Sequence, residues 1–267
     1  PPIMGMQTGR RKGAREVAEV KAPNSENENE KDPRRTSKIC ENMTYSGREA
    51  FKRLRTNVLI ALSGGQGKTG QVIGVTSAQP SEGKSTVSIN LAYSLAELGK
   101  SVLLIDCDMR RPSIHSTVGA QLSPGLSEIL TGAENLKNVV IRYNSRTDGT
   151  GFDLIPCGEI PDRPTELLNS NRFQKLIEVV SDAYDYVLVD LPPVNAVVDA
   201  VNVSEYTDGL IVVVRENHCP RNVLLSCMGQ LQYAKANVLG FVMNGCVASS
   251  GKHYQYNQQP YYYRYEK

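Results

Sequence analysis

The 267-residue chain is 40% hydrophobic and 22% charged, an ordinary soluble composition, and its length fits one domain with appendages or two small ones. Its 30 basic and 28 acidic residues nearly cancel, so bulk charge gives no case for a nucleic-acid partner. No apolar run reaches about 18 residues and no stretch reads as a secretory signal, which excludes a membrane span within this sequence. Because it opens on Pro1, the chain reads as a piece of a longer protein. The six cysteines (40, 107, 157, 219, 227 and 246) include no CxxC pair, and His115, His218 and His253 are scattered. This pattern predicts reduced thiols rather than zinc ligands or a disulfide scaffold.

Residues 1–40 are expected to be a flexible linker, because their Asn, Glu, Lys and Asp alternate without apolar periodicity. The basic cluster Arg10, Arg11, Lys12 and Arg15 reads either as a solvated tail or as a patch attracted to an anionic membrane face. Ser46-Gly47-Arg48-Glu49 fits a capping box and predicts a helix start. Phe51, Leu54, Val58 and Leu62 then form an apolar stripe, with Glu49, Lys52 and Arg55 elsewhere on the helix surface. Residues 63–70 read as a glycine-rich turn. Beyond it, strands are predicted at Val72–Thr76, Val102–Asp106, Phe152–Ile155, Tyr186–Asp190, Leu210–Val214 and Val238–Met243. Helices are predicted at Lys84–Leu98, Pro124–Leu130, Glu166–Ser181, Val198–Glu205 and Arg221–Ala234. The alternation of Val/Ile/Leu-rich strands with helices predicts an α/β fold, a mostly parallel β-sheet flanked by helices on both faces. The expected organisation is a linker over 1–40, a nucleotide-binding domain over 41–247 and a tail over 248–267.

Two stretches contain the GK[ST] signature of a phosphate-binding loop. Gly65-Gln66-Gly67-Lys68-Thr69 lies between a helix and a strand, with Leu62 where the first glycine belongs, and is read as a turn. Ala78-Gln79-Pro80-Ser81-Glu82-Gly83-Lys84-Ser85-Thr86 follows an apolar strand and opens a periodic helix. Backbone N–H groups at such a helix start favour phosphate. Lys84 is expected to reach the β/γ-phosphates of ATP, and the Ser85 hydroxyl to ligate Mg²⁺.

Two apolar strands end in acids: Leu103-Leu104-Ile105-Asp106-Cys107-Asp108, and Val187-Leu188-Val189-Asp190 before Leu191-Pro192-Pro193. In open α/β sheets, ligands bind beyond the carboxyl ends of the strands. Three carboxylates are therefore expected to face the phosphate loop. Asp190 and Asp108 would organise Mg²⁺ with Ser85. Asp106 is the favoured base for an incoming hydroxyl, although Asp106 and Asp108 could exchange roles.

The last fourteen residues hold Tyr254, Tyr256, Tyr261, Tyr262, Tyr263 and Tyr265, six of the thirteen tyrosines, with no aliphatic neighbour. A sticky low-complexity tail and a base-stacking platform are two readings. The third is a phosphoacceptor cluster, where each modified tyrosine gains about −1.5 to −2 charges.

Together these motifs resemble the bacterial tyrosine kinases of the capsule and exopolysaccharide type. The family pattern P-x-E-G-K-S is matched by Pro80–Ser85. Its D-x-D-x-R motif is matched by Asp106-Cys107-Asp108-Met109-Arg110, and its D-x-P-P motif by Asp190-Leu191-Pro192-Pro193. The strand ending at Asn244 resembles the segment bordering adenine, and Gly158–Leu168 is similar to a further family stretch from which Asp162 and Arg163 depart. The family's Glu-x2-Arg-x2-Arg assembly motif reads here as Glu49, Lys52 and Arg55; lysine keeps the charge but loses the bidentate fork. Related partition and division-site ATPases carry a signature lysine where Gln79 stands here.

The resemblance implies an ATP- and Mg²⁺-dependent protein-tyrosine kinase that phosphorylates its tyrosine cluster in trans and regulates polysaccharide polymerisation and export. It also implies a homo-oligomer, with a ring as one arrangement, and a transmembrane chain-length modulator as activator, separate or fused upstream. A cognate tyrosine phosphatase and a place at the cytoplasmic face of the cell membrane complete the expectation. A regulatory ATPase and a non-catalytic nucleotide-gated adaptor are the alternatives.

Overall fold

All six predicted strands form a continuous parallel run within one eight-stranded sheet. The structure is a computed structural model and describes the backbone of residues 18–21 together with residues 39, 42–63, 70–145 and 147–246. In chain order the elements are β1 (Ala18–Lys21), α1 (Tyr45–Leu62), β2 (Gln71–Ser77), α2 (Lys84–Ala96) and β3 (Val102–Asp106). Three short helices follow, α3 (Ile114–Val118), α4 (Leu126–Thr131) and α5 (Leu136–Val139), then β4 (Ile141–Asn144) and β5 (Gly151–Ile155). The second half comprises α6 (Pro164–Leu168), α7 (Asn171–Ala183), β6 (Tyr186–Asp190), α8 (Asp199–Val203), β7 (Gly209–Arg215), α9 (Arg221–Tyr233) and β8 (Val238–Asn244).

The strand order is β1-β4-β5-β3-β6-β2-β7-β8. Strands β5, β3, β6, β2, β7 and β8 are mutually parallel. Strand β4 runs antiparallel to β5, and β1 pairs in parallel with β4.

The central strands are apolar on both faces, so each alternation feeds one of two cores. Ile73, Val75, Leu104, Leu188 and Val213 pack under α1 and α2. Val72, Leu103, Ile105, Val187, Val189 and Val212 pack on the other face against Phe173, Leu176 and Val180 of α7 and Leu231 of α9. Full burial of each such side chain stabilises by about 1.5–3 kcal/mol, which explains why parallel strands read as near-continuous Val/Ile/Leu runs.

Four expectations need correction. Helix α1 is capped by Thr44, whose hydroxyl accepts from the Gly47 N–H, so Ser46 lies inside the helix rather than at its cap. The single helix expected over Glu166–Ser181 is two helices, because Ser170 ends one and caps the next by accepting from the Phe173 N–H. The helix expected over Val198–Glu205 stops at Val203 and tightens into a 3₁₀ turn, Ser204–Tyr206. Within the predicted linker, Ala18–Lys21 form a strand paired with Ile141–Asn144. The loop 65–69, the basic cluster 10–15, Cys40 and the tyrosine tail lie outside the described residues.

Candidate active site

Strand register brings the acids together. Asp106 of β3 stands directly opposite Asp190 of β6, and Val75 of β2 is level with Asp190 on the other side. Two-residue alternation places Asp106 and Asp190 on the face covered by α2. Both carboxylates are fully buried.

The loop from β2 into α2 is shaped by its own residues and by β7. Gly83 takes φ +90° at the start of α2, and a Cβ there would overlap Asn244 Nδ2. Ser81 also adopts a left-handed backbone, with φ 67°. Glu82 is fully buried; its carboxylate accepts from the Gln79 N–H at 2.9 Å and the Arg215 N–H at 3.3 Å. Asn244 Nδ2 donates to the Glu82 carbonyl at 2.8 Å, and Arg215 donates to the Ser81 carbonyl at 3.2 Å. Gln79 Nε2 reaches the His218 carbonyl at 2.8 Å. The loop is thus tied to the ends of β7 and β8.

Lys84 Nζ sits 2.7 Å from Asp108 Oδ2 and 3.5 Å from Asp190 Oδ2. Burial alone would push its ammonium pKa down, but the charges of Asp190, Asp108 and Asp106 outweigh burial and hold it above the ordinary range. Ser85 Oγ donates to Asp190 Oδ2 at 2.6 Å, and Ser88 Oγ donates to Asp190 Oδ1 at 2.8 Å. Asp190 is nevertheless shifted upward, chiefly by burial.

Asp106 accepts from the Asp108 N–H at 3.2 Å and the Ile114 N–H at 3.3 Å. Burial, with the negative charge of Asp190 next in weight, pushes its carboxyl up to about 8. Asp108 Oδ1 accepts from the Arg111 N–H at 3.0 Å, leaving Oδ2 for Lys84.

A cleft of about 730 Å³ opens above these groups, beyond the carboxyl ends of the strands. Of the predicted nucleotide-binding residues, Pro80, Ser81, Gly83, Lys84, Ser85, Thr86 and Asn244 reach it, as does Asp108. Ala78, Gln79 and Glu82 do not line the cleft and act from behind the loop. Asp106, the base expected from the sequence, and Asp190, an expected metal ligand, do not line it either; both lie just beneath, with Asp190 reached through Ser85 and Lys84. Sequence reasoning missed Ser88 and Arg215; neither carries a periodic or motif signal. It also missed Asp199, a buried acid that pairs with Arg110.

The assembly-motif residues lie on α1. Lys52 pairs with Glu49 at 2.8 Å. Arg55 turns inward to the end of α2, where it donates to the Ser94 carbonyl at 2.5 Å and lies 3.4 Å from Glu97.

A strand, a loop clamped around a left-handed glycine, an invading lysine and strand-end acids define a P-loop nucleotide-binding protein. The AAA domain family matches residues 70–225. The chain is 33% identical over 197 residues to the tyrosine-protein kinase CpsD of Streptococcus agalactiae serotype III (strain NEM316), covering 73% of this chain and 81% of that protein. It is 35% identical over 202 residues to the tyrosine-protein kinase ptk of Acinetobacter johnsonii, covering 76% of this chain but only 27% of that longer relative. Its fold matches the kinase domain of the Escherichia coli tyrosine kinase ETK at a TM-score of 0.73 and 31% identity, covering 89% of this chain and 93% of that one. The chain belongs to the bacterial protein-tyrosine kinases, and its fold is that of their kinase domain.

Proposed function

We propose that the chain transfers the γ-phosphoryl group of ATP, with Mg²⁺, to tyrosine hydroxyls in the C-terminal cluster of a second copy. The observation that carries this reading is the Lys84 ammonium lodged against Asp108 and Asp190 at the floor of the cleft. A cation already occupies the place where a triphosphate and its metal would meet.

The donor set suits magnesium. Among the described residues no group of three or more His, Cys, Asp or Glu side chains forms a metal cage. Magnesium is usually held by one or two carboxylates together with water and phosphate oxygens. Ser85, Asp108 and Asp190 would supply the protein oxygens. The metal, when bound, would neutralise charge on the transferring phosphoryl group.

Phosphoryl transfer relies on positioning and charge stabilisation more than on covalent chemistry. Lys84 would leave Asp108 for the phosphates, freeing the Asp108 carboxylate toward the cleft. Asp108 then orients the tyrosine hydroxyl and receives its proton as the new O–P bond forms and the bond to the ADP oxygen breaks. A phenol has a pKa near about 10, so a close carboxylate assists its deprotonation. Asp106 supports this arrangement from behind through its hydrogen bond from the Asp108 N–H.

Kinship supports the wider setting: activation by a transmembrane chain-length modulator, self-association through Glu49, Lys52 and Arg55, reversal by a tyrosine phosphatase, and work at the cytoplasmic face of the membrane in polysaccharide export. Among the described residues, no helix is long and apolar enough to cross a membrane.

Incubation with labelled ATP and Mg²⁺, followed by phosphoamino-acid analysis, tests the reading. Wild-type chain acquires phosphotyrosine, and Lys84→Met loses it. Label retained by Lys84→Met refutes the site; label undiminished after removal of residues 254–267 refutes the tail as principal acceptor. Free phosphate without phosphotyrosine would select a regulatory ATPase, and binding without either product a nucleotide-gated adaptor.

A further inference from the structure

Asp199 is a further buried acid near the cleft, and the chemistry described so far does not use it. Its side chain is 1% exposed. Oδ2 accepts from Arg110 Nε at 2.9 Å, and Oδ1 accepts from the Thr165 hydroxyl at 2.5 Å. Arg110 NH2 also donates to Thr165 Oγ1 at 3.0 Å, which closes a ring of three side chains.

The ring joins three segments that share no strand. Arg110 lies in the loop after β3, two residues beyond Asp108; Thr165 is in α6; Asp199 opens α8. The connection from Asp190 to Asp199 supplies the cleft wall through Pro192, Pro193, Ala196 and Val197.

Between β3 and α3, residues 107–113 form no helix or strand. Inside that loop, the Asp106 and Asp108 carboxylates accept from backbone N–H groups of the loop and of the first residue of α3. The loop is moored to the rest of the protein at several points: Cys107 and Met109 are buried in the core, Asp108 pairs with Lys84, and Ser113 Oγ donates to Ser85 Oγ. Arg110, at its middle, is held by the ring. Asp199 is buried while Arg110 is 41% exposed, so removing Arg110 leaves an uncompensated buried carboxylate, whereas removing the Asp199 charge leaves Arg110 free to turn to solvent.

We propose that Asp199, with Arg110 and Thr165, is a positioning device that holds the Asp108 carboxylate toward the cleft and ties the two acid-bearing loops together. Asp199 and Thr165 stand clear of the cleft and act through Asp108, whereas Arg110 also lines the cleft. Loss of the ring lets the 107–113 loop wander while leaving the Lys84 loop, clamped by Glu82, Arg215 and Asn244, in place. Nucleotide affinity is therefore retained and transfer is lost.

The catalytic arm of the test rests on the kinase reading above, and the exchange arm does not. In the ligand-free chain, hydrogen exchange at the Asp108 and Arg111 amides rises at least about tenfold in Asp199→Asn and in Arg110→Gln. The β3 amides of Leu103–Ile105 exchange as in wild type. In Asp199→Asn, whose side chain stands clear of the cleft, affinity for a fluorescent ATP analogue measured without Mg²⁺ stays within about twofold, while the phosphotyrosine rate at saturating nucleotide and Mg²⁺ falls between about tenfold and a hundredfold. Arg110→Lys, which keeps the charge and one donor, recovers part of both effects. Unchanged exchange at Asp108 and Arg111 overturns the proposal. So does loss of affinity and rate in step with a fall in melting temperature, or an Arg110→Lys variant no better than Arg110→Gln. A wild-type chain that makes no phosphotyrosine would remove the kinase reading, and the exchange arm would still decide the role of the ring.

Discussion

Gly83 sits at φ +90°, a backbone angle that an L side chain adopts only under strain, and its missing Cβ leaves room for Asn244 Nδ2. Gly83→Ala forces both problems at once. The variant should lose about 1–2 kcal/mol of stability by chemical denaturation and bind nucleotide at least about tenfold more weakly by titration. Asp106 illustrates a different tension. Its folded pKa of about 8 lies far above the unfolded value, so between the two the folded state holds the extra proton. Stability contributed by that proton is present at low pH and is lost as pH rises toward 8. In nucleotide-free protein, the stability difference between Asp106→Asn and wild type should move in the variant's favour by more than about 1 kcal/mol from pH 5.5 to 8.5. A difference independent of pH would show that Asp106 ionises normally. The sequence placed Asp106, Asp108, Asp190 and Lys84 in one site because strand-end acids and a phosphate loop must share the sheet's carboxyl edge. It could not tell which acid opens to the cleft. That depends on backbone donors such as the Ile114 N–H, eight residues away, which leave no mark in a local pattern.

Element by element, legibility followed burial. Five of the six predicted strands were readable because both of their faces are buried, as in Val187-Leu188-Val189, while the edge strand β8 was readable from its Val-Leu-Gly-Phe-Val-Met run although none of its residues is buried. Strand β4, Ile-Arg-Tyr-Asn, mixes polar residues into a short segment paired antiparallel with β5, and Ala18–Lys21 is a four-residue strand in polar surroundings; neither differs from a loop by composition. Cap chemistry was only partly readable. Thr44 outcompetes Ser46 as the α1 cap because its hydroxyl, three residues before Gly47, meets a free N–H of the first turn. Helix α4 depends on one acid. Glu128 accepts from Ser123 Oγ, the Gly125 N–H and the Glu159 N–H, joining the helix start to the turn after β5. Partial burial raises its pKa, but those hydrogen bonds prevail and the net shift is downward. Glu128→Ala should cost about 1–3 kcal/mol at pH 7, measured by denaturant unfolding. Because the folded pKa is depressed, wild type loses this advantage as pH falls through the folded value, and the gap should narrow below the ordinary glutamate range. A gap that persists unchanged there would assign the loss to packing instead.

On the scale of the molecule, one sheet organises everything the cleft needs. Parallel strands place β2, β3 and β6 with their carboxyl ends in register, helices shield both faces, and β7 and β8 brace the phosphate loop from the side. The assembly surface is in a different state. Arg55 is engaged within its own chain at the end of α2, where one guanidinium nitrogen bonds Ser94 and faces Glu97. The central claim is that Lys84 trades Asp108 for a triphosphate whose metal would be held by Ser85, Asp108 and Asp190. A crystal structure with Mg²⁺ and a non-hydrolysable ATP analogue tests it most directly. The account predicts Lys84 Nζ on the β/γ-phosphate oxygens, the metal against Ser85 with the two acids around it, and Asp108 turned to the open side of the cleft. A triphosphate bound elsewhere, or one bound here with Lys84 still paired to Asp108, would contradict it.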